Sequence, residues 1–157
     1  MTFLKSIDST GYEVLISLTL ASVIAQLIKI IADSIKKKSL NLSLLFSTGG
    51  MPSSHSSTVC AMATSIGLIE GWDSTLFAFS VCFALIIMYD SAGVRGAVSR
   101  QAIVLNQIIQ ELLSSEHKFN KIRLKELLGH TPKEVFVGAF LGIAVSLLIR
   151  IIIVSSN

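Results

Sequence analysis

The chain has 157 residues, a length that suits a single domain. Apolar residues make up 52% and charged residues 15%, with a mean hydropathy of +0.72, whereas soluble domains carry about 25% charge. This balance excludes a disordered chain and argues against a water-soluble globule, and the net charge of +3 therefore points to an anionic membrane surface rather than to nucleic acid.

A helix that crosses a bilayer needs about 20 mostly apolar residues. The first predicted span runs from Val14 to Ala32, with Lys29 near its end. The segment before it lacks the features of a cleaved signal peptide. A second span, Ser53 to Glu70, is unusually small-sided: ten of its eighteen residues are Ser, Ala, Thr or Gly, a composition suited to close helix packing. The third runs from Ser74 to Ala92 and carries Asp90 near its end; the fourth, Val135 to Ser156, contains Gly138-x-x-x-Gly142. That pair is a common packing pattern and the place where a homodimer contact would be sought. Arg150 reads as a snorkelling side chain. Between the third and fourth spans, Val98, Ala102, Leu105, Ile109 and Leu112 recur at steps of four and three, which predicts an amphipathic helix. Cys60 and Cys82 both fall in apolar stretches and read as small core thiols. The expected fold is thus an all-α integral membrane bundle of about four transmembrane helices plus this amphipathic one, in a single membrane domain over 1–157.

Four spans place both termini on one side. The opposite side then collects Lys29, Lys36, Ser53, Ser54, His55, Asp90, Arg95, Arg100, His130 and Glu134, nearly every residue able to do chemistry. Such convergence is the pattern of an interfacial site.

In Gly49-Gly50-Met51-Pro52-Ser53-Ser54-His55-Ser56, the glycines allow a tight turn and Pro52 suits a first helical turn. Free amides at a helix start hold anions. Serine hydroxyls and His55 beside them suit phosphate binding with a proton donor close by. The plainer reading is a serine-capped helix start. Thr131-Pro132-Lys133-Glu134 has the spacing of a capping box, which accounts for Glu134 without chemistry and leaves His130 unexplained. Two histidines at two helix starts suit phosphoryl transfer, one as nucleophile and the other as acid to the leaving oxygen. Lys29, Lys36, Arg95 and Arg100 are the candidate phosphate clamps. Asp90 reads either as a salt-bridge partner of Arg95 or Lys29, or as an orienting carboxylate. A metal site built from His55, His130, Asp90 and Glu134 lacks any close-spaced ligand pair. A Ser/His protease is disfavoured because Ser54 and His55 are neighbours in sequence.

Three blocks in order carry a family resemblance: Gly-Gly-Met-Pro-Ser-Ser-His-Ser at 49–56, Met-Tyr-Asp-Ser-Ala-Gly-Val-Arg at 88–95, and Leu-Lys-Glu-Leu-Leu-Gly-His-Thr-Pro at 124–132. Together they resemble the divergent branch of the type-2 phosphatidic acid phosphatase superfamily, which is related to acid phosphatases and vanadium-dependent haloperoxidases. The resemblance runs from Ala25 to Gly142. It implies that Lys29 stands as the opening lysine and Lys36 at the arginine position seven residues on. Pro52, Ser53 and His55 match Pro-Ser-Gly-His, with Ser54 in place of glycine. His130 and Glu134 match His-x3-Asp with Glu for Asp. The Ser-Arg preceding that histidine is missing, because the arginine position falls on Leu124; Arg95 and Arg100 are substitutes by position. The implied roles make His130 the nucleophile, His55 the general acid, and Lys29, Ser53 and an arginine the holders of the phosphoryl oxygens.

The sequence therefore predicts a membrane phosphatase acting on a lipid phosphomonoester of the phosphatidylglycerophosphate or phosphatidate type, without cofactor or metal, with membrane lipids as its surroundings. The alternative is a non-catalytic carrier or assembly subunit that binds phosphorylated headgroups. A small anion transporter is disfavoured by the lack of a charge near the middle of any span. Under the four-span topology, eleven of the thirteen Lys and Arg residues lie on the site side, so the site is expected to face the cytoplasm from the plasma membrane.

Overall fold

The computed structural model describes residues 2–38, 50–114 and 131–156. These residues form helices and no strand: α1 (Thr2–Ile7), α2 (Gly11–Lys37), α3 (Ser54–Glu70), α4 (Thr75–Ala92), α5 (Val94–Ser114) and α6 (Pro132–Ser155). Three of them, α2 over Gly11–Ile35, α4 and α6, are long and apolar enough to cross a membrane. The small-sided segment predicted as the second span is the 17-residue α3, and it occupies the middle of the bundle. It packs on α2, α4 and α6. Its buried positions include Ser54, Ser56, Ser57, Ala61, Thr64, Ser65 and Gly67, residues small enough to let three neighbouring backbones approach.

The contacts fix the directions of the helices. Lys29 of α2 lies against Gly50, just before α3, while the Ser57 hydroxyl donates to the Ala21 carbonyl at 3.1 Å. Cys60 of α3 meets Met88 of α4, and Trp72 folds back over Gly67 and stacks edge-on against Phe77 at 5.1 Å. Thus α2 and α4 run antiparallel to α3. In contrast, α6 runs parallel to α3, because Ser53 meets Gly138 and Ser57 meets Gly142. One end of the bundle therefore gathers Lys29, Ser53 and Glu134; the other gathers Thr10, Glu70, Ser74 and Arg150.

Gly138 and Gly142 make the parallel contact possible. A methyl added at Gly138 would collide with the Ser53 carbonyl, and one added at Gly142 would collide with the Ser57 carbonyl and stand 2.9 Å from the Ala61 amide. Both glycines are used inside the chain, against the backbone of α3. The apolar centre above them is correspondingly thin: Ala21, Ala61 and Val145, flanked by Ile24, Leu141 and Ile149. Large side chains instead face outward, as Phe79, Ile86, Phe140 and Ile151 do, which is the arrangement a lipid solvent favours.

Arg150 departs from the snorkelling expected of it. Its guanidinium pairs with Asp8 at 2.7 Å and with Glu13 at 3.0 Å, joining the end of α6 to the start of α2. Glu13 is 1% exposed and also accepts the Ser9 amide at 3.0 Å. Removing one partner of such a pair strands a buried charge, at a cost of about 3 kcal/mol. Arg150→Met is therefore expected to lower the thermal midpoint in detergent by about 10 °C. Adding Glu13→Gln should restore a large part of the loss. An unchanged midpoint in the single variant would show that the pair does not hold the bundle.

Candidate functional site

The site end is built from the starts of α3 and α6 and from Lys29 of α2. Ser53 caps α3: its side-chain oxygen accepts from the Ser56 amide at 3.4 Å and from the Ser56 hydroxyl at 3.1 Å. The capping reading thus accounts for the Ser53 hydroxyl. Pro52 stands one position outside the cap rather than in the first turn, and Gly50 takes the left-handed φ of +89° that the turn requires. At the start of α6 the predicted capping box forms completely. The Glu134 amide donates to the Thr131 side chain at 3.4 Å, and the Thr131 amide donates to Glu134 Oε2 at 3.0 Å. The two helix starts are tied together by the Ser53 amide, which donates to the Glu134 carbonyl at 3.0 Å.

Lys29 reaches this junction from α2. It is 5% exposed, its stem lies 3.9 Å from a Cβ position at Gly50, and its ammonium has no hydrogen-bond partner among the described residues. Glu134 is the charge that acts on it electrostatically. A buried ammonium beside two helix N-termini, whose dipoles add to its charge, favours an anion. Ser54 is buried at the first position of α3, and His55, half-buried, occupies the second.

The structure brings Lys29, Ser53, Ser54, His55 and Glu134 to one end. Asp90 belongs to the same end, two residues beyond Met88, which meets Cys60. Lys36 lies on the last turn of α2, and Arg95 and Arg100 on the first turns of α5, by backbone only. His130 lies outside the described residues, immediately before the Thr131 cap. Among the described residues no three His, Cys, Asp or Glu side chains are grouped to hold a metal ion.

Sequence reading passed over the neighbours of Lys29 on its own helix. Gln26 and Asp33, three residues before and four after, share its face. Gln26 Oε1 and Asp33 Oδ2 are buried without hydrogen-bond partners among the described residues, although Asp33 Oδ1 pairs with Lys37 at 2.9 Å. Polar residues at three- and four-residue steps from a lysine inside an apolar span were the available signal.

The chain is 41% identical over 150 residues to the uncharacterized membrane protein YuiD of Bacillus subtilis (strain 168), covering 89% of this chain and 94% of that protein. No solved structure matches it. A family model described as the Divergent PAP2 family matches residues 11–145, which takes in α2, the capped starts of α3 and α6, and the glycine contact between them. The chain belongs to the Divergent PAP2 family.

Proposed function

We propose that this membrane protein is a lipid phosphatase that hydrolyses a phosphomonoester of the phosphatidylglycerophosphate or phosphatidate type. The observation that carries the reading is Lys29, a buried ammonium beside two helix N-termini with no hydrogen-bond partner among the described residues. A nitrogen of His130 attacks phosphorus, and the bond from phosphorus to the lipid oxygen breaks. His55 gives its proton to that leaving oxygen, so the alcohol departs neutral. Water, giving a proton back to His55, then attacks the phosphohistidine; the bond from phosphorus to nitrogen breaks, releasing inorganic phosphate and restoring both histidines. Lys29, the first amides of α3 and a guanidinium from Arg95 or Arg100 hold the phosphoryl oxygens, supplying the charge stabilisation that a metal would otherwise supply. A site at the bundle end takes the headgroup while the acyl chains remain in the bilayer.

A buried ammonium that makes no hydrogen bond among the described residues costs several kcal/mol. Lys29→Met is therefore expected to raise the thermal midpoint while reducing phosphate release from lipid phosphates at least about tenfold. A variant with lowered stability and unchanged turnover would place Lys29 in the framework instead of the site.

A second reading has its own observation. The Glu134 carboxylate is engaged in capping α6, which weakens its assignment as the partner that orients His130. A protein with that carboxylate committed to structure could bind phosphorylated headgroups without cleaving them. Release of inorganic phosphate from a panel of lipid phosphates by purified protein separates the two; saturable binding with no release favours the carrier.

The site is further proposed to face the cytoplasm from the plasma membrane, because basic residues concentrate at its end of the chain. A cysteine placed at Lys121, with Cys60 and Cys82 replaced, is expected to resist an impermeant thiol reagent in intact cells and to react after lysis. Labelling in intact cells reverses the orientation.

A further inference from the structure

We propose that the cleft between α2 and α4, at the end of the bundle away from Lys29, is a lipid-binding site. Its occupant is one acyl chain of a phospholipid from the leaflet opposite the candidate active site, with a primary-amine headgroup set over Glu70. The cleft has a volume of about 580 Å³, and its walls are Leu15 and Leu18 of α2, Met62, Ile66 and Ile69 of α3, and Leu76 of α4. Ligand sites span roughly 300–1,000 Å³, so the cleft is of binding size.

Three features choose the occupant. The first is depth. From Met62 to Glu70 the floor of α3 descends about 12 Å, close to the hydrocarbon depth of one leaflet, roughly 15 Å. A chain entering from the active-site leaflet would end near Met62, so the cleft belongs to the other leaflet. The second is continuity. Both walls are membrane spans that pack on α3, and their outward faces are lipid-facing at Leu20, Val23, Phe79 and Phe83. A second copy of the chain fits less well, since a helix roughly 10 Å across would need more room over that depth than the cleft provides.

The third feature is charge. Glu70 lines the rim and is the last residue of α3, where the helix dipole already presents negative potential. Neither Glu70 nor the nearby Asp73 forms an ion pair among the described residues. A carboxylate at a helix C-terminus, without a cation of its own, is complementary to an ammonium and repels an anionic headgroup. Thr10 and the exposed Tyr12 complete the rim, the tyrosine at the depth where amphipathic rings meet headgroups. This site stands at the opposite end from His55 and Glu134, so it is independent of whether phosphate is released.

The test uses the full-length protein in vesicles doped with phosphatidylethanolamine that carries a photoreactive diazirine in the distal half of one acyl chain. After illumination, adducts are mapped by mass spectrometry. They are expected to concentrate at Leu18, Met62 and Ile66. Labelling should fall about fivefold with the N-acetylated lipid, which lacks the ammonium. Glu70→Gln should erase that headgroup preference while leaving the positions of the adducts unchanged. Ile66→Trp fills the cleft and should remove adducts from Leu18 and Met62; Leu18→Trp fills it from the other wall if the first variant fails to elute as folded protein. Adducts spread evenly over Phe79, Phe83 and Phe140 as well as the cleft would overturn the site. Equal labelling by the amine lipid, its N-acetyl derivative and an anionic lipid would overturn the headgroup assignment.

Discussion

Replacing His130 with alanine is expected to reduce phosphate release to the uncatalysed background, and replacing His55 with alanine to reduce it about 10²- to 10⁴-fold, the range that a general acid contributes. The asymmetry follows from the roles. Without its nucleophile the two-step route has no first step. Without the acid the phosphohistidine can still form whenever solvent protonates the leaving oxygen. A substrate with a better leaving group should therefore rescue His55→Ala and leave His130→Ala inactive. Orthovanadate, whose five-coordinate form resembles the transition state, is expected to inhibit the unmodified protein. Both variants should elute from detergent sizing as the parent does, because Ser53, Ser56, Thr131 and Glu134 supply the capping bonds that order the helix starts. Full activity in both variants would remove the phosphohistidine mechanism.

The second large effect concerns the framework. Gly142→Leu is expected to prevent recovery of folded protein, and Gly142→Ala to lower the thermal midpoint by about 5 °C, since overpacking costs about 1–3 kcal/mol. The collision is with backbone, the Ser57 carbonyl and the Ala61 amide, which cannot rotate away as a side chain can. Helix propensity pulls the other way, as alanine favours a helix over glycine by about 1 kcal/mol. Gly11→Ala is the matched control. Nothing lies within 4 Å of a methyl at Gly11, so this variant should be neutral or slightly stabilised. A loss in Gly11→Ala equal to that in Gly142→Ala would mean that close approach of α3 and α6 is not what the glycine provides.

Local chemistry was the legible part. Thr131 and Glu134 stand three residues apart, and both capping bonds form; Ser53 caps as a serine before a helix should. The three apolar helices and the amphipathic α5 follow from composition and periodicity, each within a few residues of its expected limits. The position of α3 was readable only as a tendency. Its small residues signal close packing, but which helices close around it depends on contacts distant in sequence, such as Gly142 with Ser57. The Arg150 bridge is the clearest case. Its partners Glu13 and Asp8 lie 137 and 142 residues away, so no spacing rule connects them. Lys29 could be singled out as a charge in an apolar span, whereas its burial beside Gly50 required the fold.

The central place of α3 bears on how the protein comes to be made. A helix so rich in serine, threonine, alanine and glycine gains little from entering hydrocarbon alone, and it leaves the ribosome well before α6. Until α6 is synthesised, the Ser53 amide lacks the Glu134 carbonyl, and the groove that accepts Gly138 and Gly142 lies open. Helix α6, made after α3, is therefore the one that closes the bundle over this small-sided helix. A chain truncated before α6 should present α3 as an unfinished surface, the kind of feature by which membrane quality control selects proteins for degradation.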